Sequence, residues 1–248
     1  MIKAKPSALW RSILGKYFFR SVKHQFFQCG ISGQEFLSPW ILDSSVHSEI
    51  PLILYSSHGG WWDAAIAIAL SNSYLHLESY GMMEEKQLKK YMFFTKVGMF
   101  SVHRQQAKSA LQSLHYAADI LQNSNKTLWI FPQGELFHQD IRPISLFSGQ
   151  AILLKLLKTA YFAPIAIRYD FLQEQKPESY ISVGMPELLH WEHKEKSSEW
   201  TAYFTEKLTN QMDILTNDIH KQRLDSYTIW CKGPESIEKK WDSFRGIK

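Results

Sequence analysis

Within this 248-residue chain, the stretch Ser57-His58-Gly59-Gly60-Trp61-Trp62-Asp63 offers the clearest chemistry. A histidine and an aspartate at such a junction can form a hydrogen-bonded pair. The carboxylate fixes the imidazole's tautomer and steadies the ring once it is protonated. The other ring nitrogen is then free to take a proton from a hydroxyl, which is what acyl transfer to an alcohol requires. The spacing alone is not specific, because His220 and Asp225 repeat it. That second pair lies in a polar stretch, Asn217 to Arg223, with no strand-like run before it, and reads as a solvated helix face. The first pair follows Leu52-Ile53-Leu54-Tyr55, an apolar run of strand character, and precedes Ala64 to Leu70, which reads as a buried helix. Two glycines at this turn permit close backbone approach, and the turn exposes what it carries. On spacing and context alone, a catalytic pair and a structural histidine beside a turn are equally good readings.

Three further blocks follow in order. Gly98-Met99-Phe100-Ser101-Val102-His103-Arg104 comes first, then Phe131-Pro132-Gln133-Gly134-Glu135 after the strand-like Thr127 to Ile130, then Ala163-Pro164-Ile165-Ala166-Ile167. Together with His58 and Asp63, these blocks resemble the glycerolipid acyltransferase family, typified by 1-acylglycerol-3-phosphate acyltransferases. Its pattern is His-four residues-Asp, a block ending in Arg, Phe-Pro-Glu-Gly-Thr and a Val-Pro-Val-like strand. The resemblance covers roughly residues 50 to 185, and order and spacing carry it rather than any one block.

The resemblance implies an O-acyltransferase in which His58 is the base and Asp63 its orienting partner. The lipid hydroxyl attacks a thioester directly, with acyl-CoA or acyl carrier protein as co-substrate and no other cofactor. No Gly-x-Ser-x-Gly elbow suggests a covalent acyl-enzyme. Arg104 is the candidate anchor for an anionic headgroup, since a guanidinium grips phosphate oxygens in a two-pronged way. Without the resemblance it would read as an ordinary surface arginine. The third block departs from the pattern. Gln133 stands where the family has Glu and Glu135 where it has Thr, while Gly134 is retained. Leu136 replaces the usual Arg, and Phe147-Ser148-Gly149 lacks the lysine of a Phe-Lys-x-Gly element. Arg142 is a candidate replacement cation by proximity in sequence, and Gln133, Gly134 and Glu135 complete the expected substrate-binding set. With fewer cations, the acceptor expected is a lysophospholipid-like, glycosylated or neutral lipid.

Elements that hold these residues follow from periodicity. Strands are expected at 52–55, 74–80, 127–131, 163–168 and 180–183, with helices at 84–90, 105–122, 147–157 and 199–220. Residues 28–49 read as a connection with a short strand. Alternating strands and helices imply an α/β fold: a mainly parallel central sheet flanked by helices, with an N-terminal amphipathic helix. Residues 7–27 place Leu9, Trp10, Ile13, Leu14, Tyr17, Phe18 and Val22 at helical spacing, and six Lys/Arg residues precede the first acid, Glu35. Such a helix lies in an anionic membrane surface or packs on the domain with its basic face in water. Charge asymmetry, aromatics and lipid substrates favour the membrane. The division expected is a membrane-associating helix at 1–30 and an acyltransferase domain at 31–248.

Composition bounds the rest. Hydrophobic residues at 45% and charged residues at 21% are ordinary for a folded chain. A net charge of +4 without a Lys/Arg run gives no reason to expect nucleic acid. Two cysteines, Cys29 and Cys231, make no disulfide framework or multi-cysteine metal site, which points to a reducing location on the cytoplasmic side. His58 and Asp63 lack a third metal ligand at a recognisable spacing. No apolar run is long enough to span a bilayer. The expected partners are therefore membrane lipids and the acyl donor, met peripherally at the membrane surface. The alternative is a non-catalytic lipid-binding protein of the same fold, and a hydrolase using His58 to activate water is a third reading.

Overall fold

The apolar run at 52–55 has no polar alternation, and it becomes a strand buried on both faces, as parallel-sheet strands are. The computed structural model describes residues 1–41, 49–103, 105–192, 196–234 and 245. Nine strands occur among them: β1 (Gln28–Ser32), β2 (Leu52–Ser56), β3 (Ser79–Glu84), β4 (Met99–Val102), β5 (Thr127–Ile130), β6 (Thr159–Asp170), β7 (Glu178–Val183), β8 (Glu187–His190) and β9 (Thr228–Lys232). They form one sheet in the order β4-β3-β5-β2-β6-β7-β1-β9, with β8 also paired to β6. The strands β4, β3, β5, β2 and β6 are mutually parallel, β7 and β8 run antiparallel to β6, and β9 runs antiparallel to β1.

Helices α1 (Ala8–Gln25), α2 (Trp62–Ala69), α3 (Glu85–Lys90), α4 (Ala107–Leu121), α5 (Gly149–Leu157) and α6 (Ser197–His220) accompany the sheet. Alternate strand residues feed two cores, as the period of two requires. Leu52, Leu54, Trp129, Ile165 and Ile167 pack with α1 and α2. Ile53, Tyr55, Leu128, Ile130 and Phe162 pack with α4, α5 and α6. The sheet is therefore covered on both sides, which is the mainly parallel α/β architecture expected from the sequence.

Long helices sit where their apolar stripes require. On α6 the stripe is Phe204, Leu208, Met212, Leu215 and Ile219, all buried. On α1, Leu14, Phe18 and Val22 are buried, and this face packs on α2. The expected division at residue 30 falls inside β1, and α1 shares the core that α2 occupies.

One expected strand begins later than its pattern indicates. The alternation at 74–80 suggested a strand, but the chain extends α2 through a π-helical turn, Leu70–Tyr74, and β3 begins only at Ser79. Ser71 and Asn72 hold that turn: the Trp129 indole donates to Ser71 Oγ (2.8 Å) and the Asn72 amide donates to the Ile68 carbonyl (2.9 Å). Leu75 and Leu77 are buried on the way to β3, so their alternation reflects packing beneath a turn. Strands β4, β8 and β9, at four or five residues each, were too short to declare themselves by period.

Candidate active site

The candidate site lies at the carboxyl ends of β2, β5 and β6, the edge where open parallel sheets place their ligands. Ser57 continues β2 by one residue. Its N–H donates to the Ile165 carbonyl (3.0 Å) and its hydroxyl accepts from the Ile167 N–H (3.0 Å). This clamp to β6 fixes where His58 emerges. The backbone of His58 is held on both sides by the loop after β5, because its N–H donates to Gln133 Oε1 (2.8 Å) and its carbonyl accepts from Phe137 N–H (3.0 Å). Its ring stacks on Phe131, with centroids 4.5 Å apart and planes 28° apart.

Asp63 occupies the first turn of α2, where the helix dipole favours a negative charge. Its Oδ2 lies 2.8 Å from His58 Nδ1 and accepts the Gly60 N–H at 3.0 Å. Its Oδ1 accepts the Tyr169 hydroxyl. Asp63 is fully buried, and the His58 side chain keeps 21% exposure. A buried carboxylate must be satisfied by donors, and three converge here. With the carboxylate on Nδ1, the proton belongs on that nitrogen, and Nε2 becomes the acceptor. Among the described residues Nε2 makes no hydrogen bond. The assembly can therefore receive a proton at a single, partly exposed nitrogen.

The expected substrate-binding residues are dispersed. Gln133 is 5% exposed and turned inward, with its Oε1 on the His58 backbone. A glutamate would supply the same acceptor, so the amide preserves the structural contact while removing a charge. Gly134 adopts φ +76°, a left-handed conformation natural to glycine, and its N–H closes the turn on the Phe131 carbonyl (3.0 Å). Glu135 is exposed. Arg142 points its guanidinium at α6, bonding Asp213 Oδ1 through Nε (3.0 Å) and Nη2 (2.8 Å), while Nη1 meets the carbonyls of Gln139 and Ile141. A phosphate would have to compete with Asp213 for it. Arg104 lies outside the described residues. The strand that leads to it, β4, ends at the same sheet edge as β2. His220 and Asp225 are exposed at the end of α6 and beyond it, with no bond between them. Among the described residues, no group of three or more His, Cys, Asp or Glu could hold a metal ion.

Sequence reasoning did not single out Tyr169. It lies at the end of β6, 106 residues from Asp63, and only the pairing of β2 with β6 brings the two together.

A mainly parallel α/β sheet with an oriented histidine at its carboxyl edge is the class these observations define. Residues 32–168, more than half of the chain, match the Acyltransferase family, and the chain belongs to that family. Its fold resembles the crystal structure of PlsC, a 1-acyl-sn-glycerophosphate (LPA) acyltransferase from Thermotoga maritima. The TM-score is 0.54 at 12% identity, over 84% of this chain and 79% of that one. No curated protein matches the chain significantly.

Proposed function

We propose that this acyltransferase moves a fatty acyl group from a thioester, acyl-CoA or acyl carrier protein, to the hydroxyl of a lysophospholipid-like acceptor at a membrane surface. The observation that carries the reading is the His58–Asp63 pair, with Nδ1 engaged at 2.8 Å and Nε2 unpartnered among the described residues. In the reaction, Nε2 takes the proton of the acceptor hydroxyl as its oxygen bonds to the thioester carbonyl carbon. The carbon–sulfur bond then breaks, and the leaving thiolate recovers that proton from the imidazolium. Asp63 holds the ring in register and balances the charge it gains. Gln133 and Gly134 shape the turn beside the base. Arg104 is the candidate headgroup anchor, and Glu135 and Arg142 remain candidates for acceptor contact.

Membrane contact on the cytoplasmic side is part of the same proposal. No helix among the described residues is long and apolar enough to cross a membrane. The outward face of α1 carries Leu9, Trp10, Ile13 and Tyr17, exposed at 67, 40, 47 and 60%. Lys16 and Arg20 on the same helix are exposed. Tyr91, Met92 and Phe93 add exposed apolar surface, and Phe93 and Tyr17 connect through Phe94 and Phe18 ring contacts. An apolar stripe flanked by cations suits a peripheral stay on anionic lipid.

The test supplies radiolabelled acyl thioester and lysophospholipid in vesicles to the full chain. His58→Ala should abolish label transfer with its circular dichroism unchanged, and His220→Ala should transfer at the wild-type rate. Wild-type transfer by folded His58→Ala would end this assignment.

A further inference from the structure

The phenol of Tyr169 is held from several elements at once. Its ring stacks on Phe26, just past α1, with centroids 5.6 Å apart and planes 23° apart. Its backbone is bonded twice by Gln139, whose amide donates to the Tyr169 carbonyl (2.9 Å) and accepts its N–H (3.1 Å). Gly60 makes room for it, since a Cβ there would sit 3.1 Å from the ring. So fixed, the hydroxyl donates to Asp63 Oδ1 while the Gly60 and His58 donors share Oδ2.

We infer that Tyr169 is a positioning residue for the acid–base pair, acting on His58 through Asp63. A carboxylate can rotate about its terminal torsion, and its two oxygens are chemically equal. Here the donors are not: among the described residues Oδ1 has one, and it is Tyr169. Take that donor away and Oδ1 becomes a buried anionic oxygen with no donor left among the described residues. The carboxylate then gains by rotating or by drawing harder on the His58 proton. Tyr169 thus sets both the orientation of Oδ2 and how strongly Asp63 holds a protonated ring. Burial, then the neighbouring Asp63 charge, push its phenol well above the ordinary tyrosine range. The phenol thus keeps its proton and donates it to Asp63. Of the other titratable groups, Cys29 on β1 acts on the Tyr169 phenol, and Asp140 on the loop after β5 is paired with Arg168, the neighbour of Tyr169 on β6. His138 and Asp140 pair with each other at 3.8 Å.

This inference rests on His58 as the base, so its main readout is independent of turnover. The full chain is labelled with carbon-13 histidine, and the His58 ring signal, identified by its absence in His58→Ala, is titrated by NMR. In Tyr169→Phe the protonation midpoint should rise by about 0.5 to 1 pH unit, as expected when a charged hydrogen bond is lost. In the transfer assay the acid limb should move up in step, kcat should fall about tenfold, and KM should stay unchanged. As a second variant, 3,5-difluorotyrosine placed at 169 by amber suppression keeps the ring and strengthens the donor, so the midpoint should move down. It decides the matter even where Tyr169→Phe does not fold. Midpoints equal to wild type in the folded variants would overturn the inference. A loss of the acyl-transfer reading through His58→Ala would leave the NMR shifts standing.

Discussion

Replacing Asp63 by Asn tests the electrostatic core of the mechanism. The side chain keeps its shape, and the Gly60 N–H dictates its orientation, because only the amide oxygen can accept there. That oxygen therefore still faces His58 Nδ1, and the tautomer survives. The amide nitrogen then faces the Tyr169 hydroxyl, which must rotate to accept. What disappears is the negative charge beside the imidazolium. Two unit charges about 4 Å apart interact by about 4 kcal/mol at an effective dielectric near 20. At about 1.4 kcal/mol per decade, that would slow transfer by about 1,000-fold. The His58 ring is 21% exposed, so solvent screening reduces the effect, and a loss of about 100- to 1,000-fold is expected. The stability change should be smaller, about 1 to 3 kcal/mol, from one rearranged buried hydrogen bond. Label transfer under saturating substrates gives kcat, and urea unfolding gives stability. The acid limb of the rate–pH profile should move to lower pH, since a neutral partner no longer favours the protonated ring. Asp63→Asn turning over within tenfold of wild type, while folded, would refute the assigned role of the carboxylate.

Two further outcomes follow from other parts of the molecule. Ile13→Ser with Tyr17→Ser removes two outward apolar groups, exposed at 47 and 60%, that lie outside the buried core. At about 1.5 kcal/mol or more for each apolar side chain buried, sedimentation with anionic vesicles should weaken about 100-fold without loss of folding, and unchanged binding would exclude α1 as the contact. Asp140 is held below the usual carboxylate range, first by its bond from Arg168 and against a smaller desolvation effect. A depressed folded value means stability fully present above the unfolded pKa, about 3.9, and lost as pH falls from there through the lower folded value. Urea midpoints of Asp140→Asn should accordingly lose part of the wild type's decline between about pH 5 and pH 3. A decline identical to wild type would remove Asp140 from the acid response.

The central strands were legible because burial on both faces writes them as unbroken apolar runs, as in Leu52 to Tyr55 and Thr127 to Ile130. The helices α4 and α6 were legible because each repeats an apolar stripe long enough to show its period. The partners of the site residues were not. Tyr169 reaches Asp63 through strand pairing across 106 positions, and Arg142 reaches Asp213 across 71, distances over which a single sequence carries no local signal. The alternation at 74–80 misled for the converse reason: local pattern matched a strand while Ser71 and Asn72 tied the chain into a turn.

Gln133 shows why the altered third block does not undo the candidate site. Its work on His58 is that of an acceptor for a backbone N–H, and an amide oxygen serves as well as a carboxylate. The neutral side chain also changes the electrostatics. With Glu135 exposed and Gln133 uncharged, Asp63 is the one carboxylate bonded to His58 among the described residues. A glutamate at 133 would place a second negative charge beside the base and share in steadying its protonated form. Its absence concentrates that duty on Asp63 and on the phenol that holds it. The loss on neutralising Asp63 should therefore stand at the upper end of the range, and Gln133→Glu introduced beside Asp63→Asn should recover part of it.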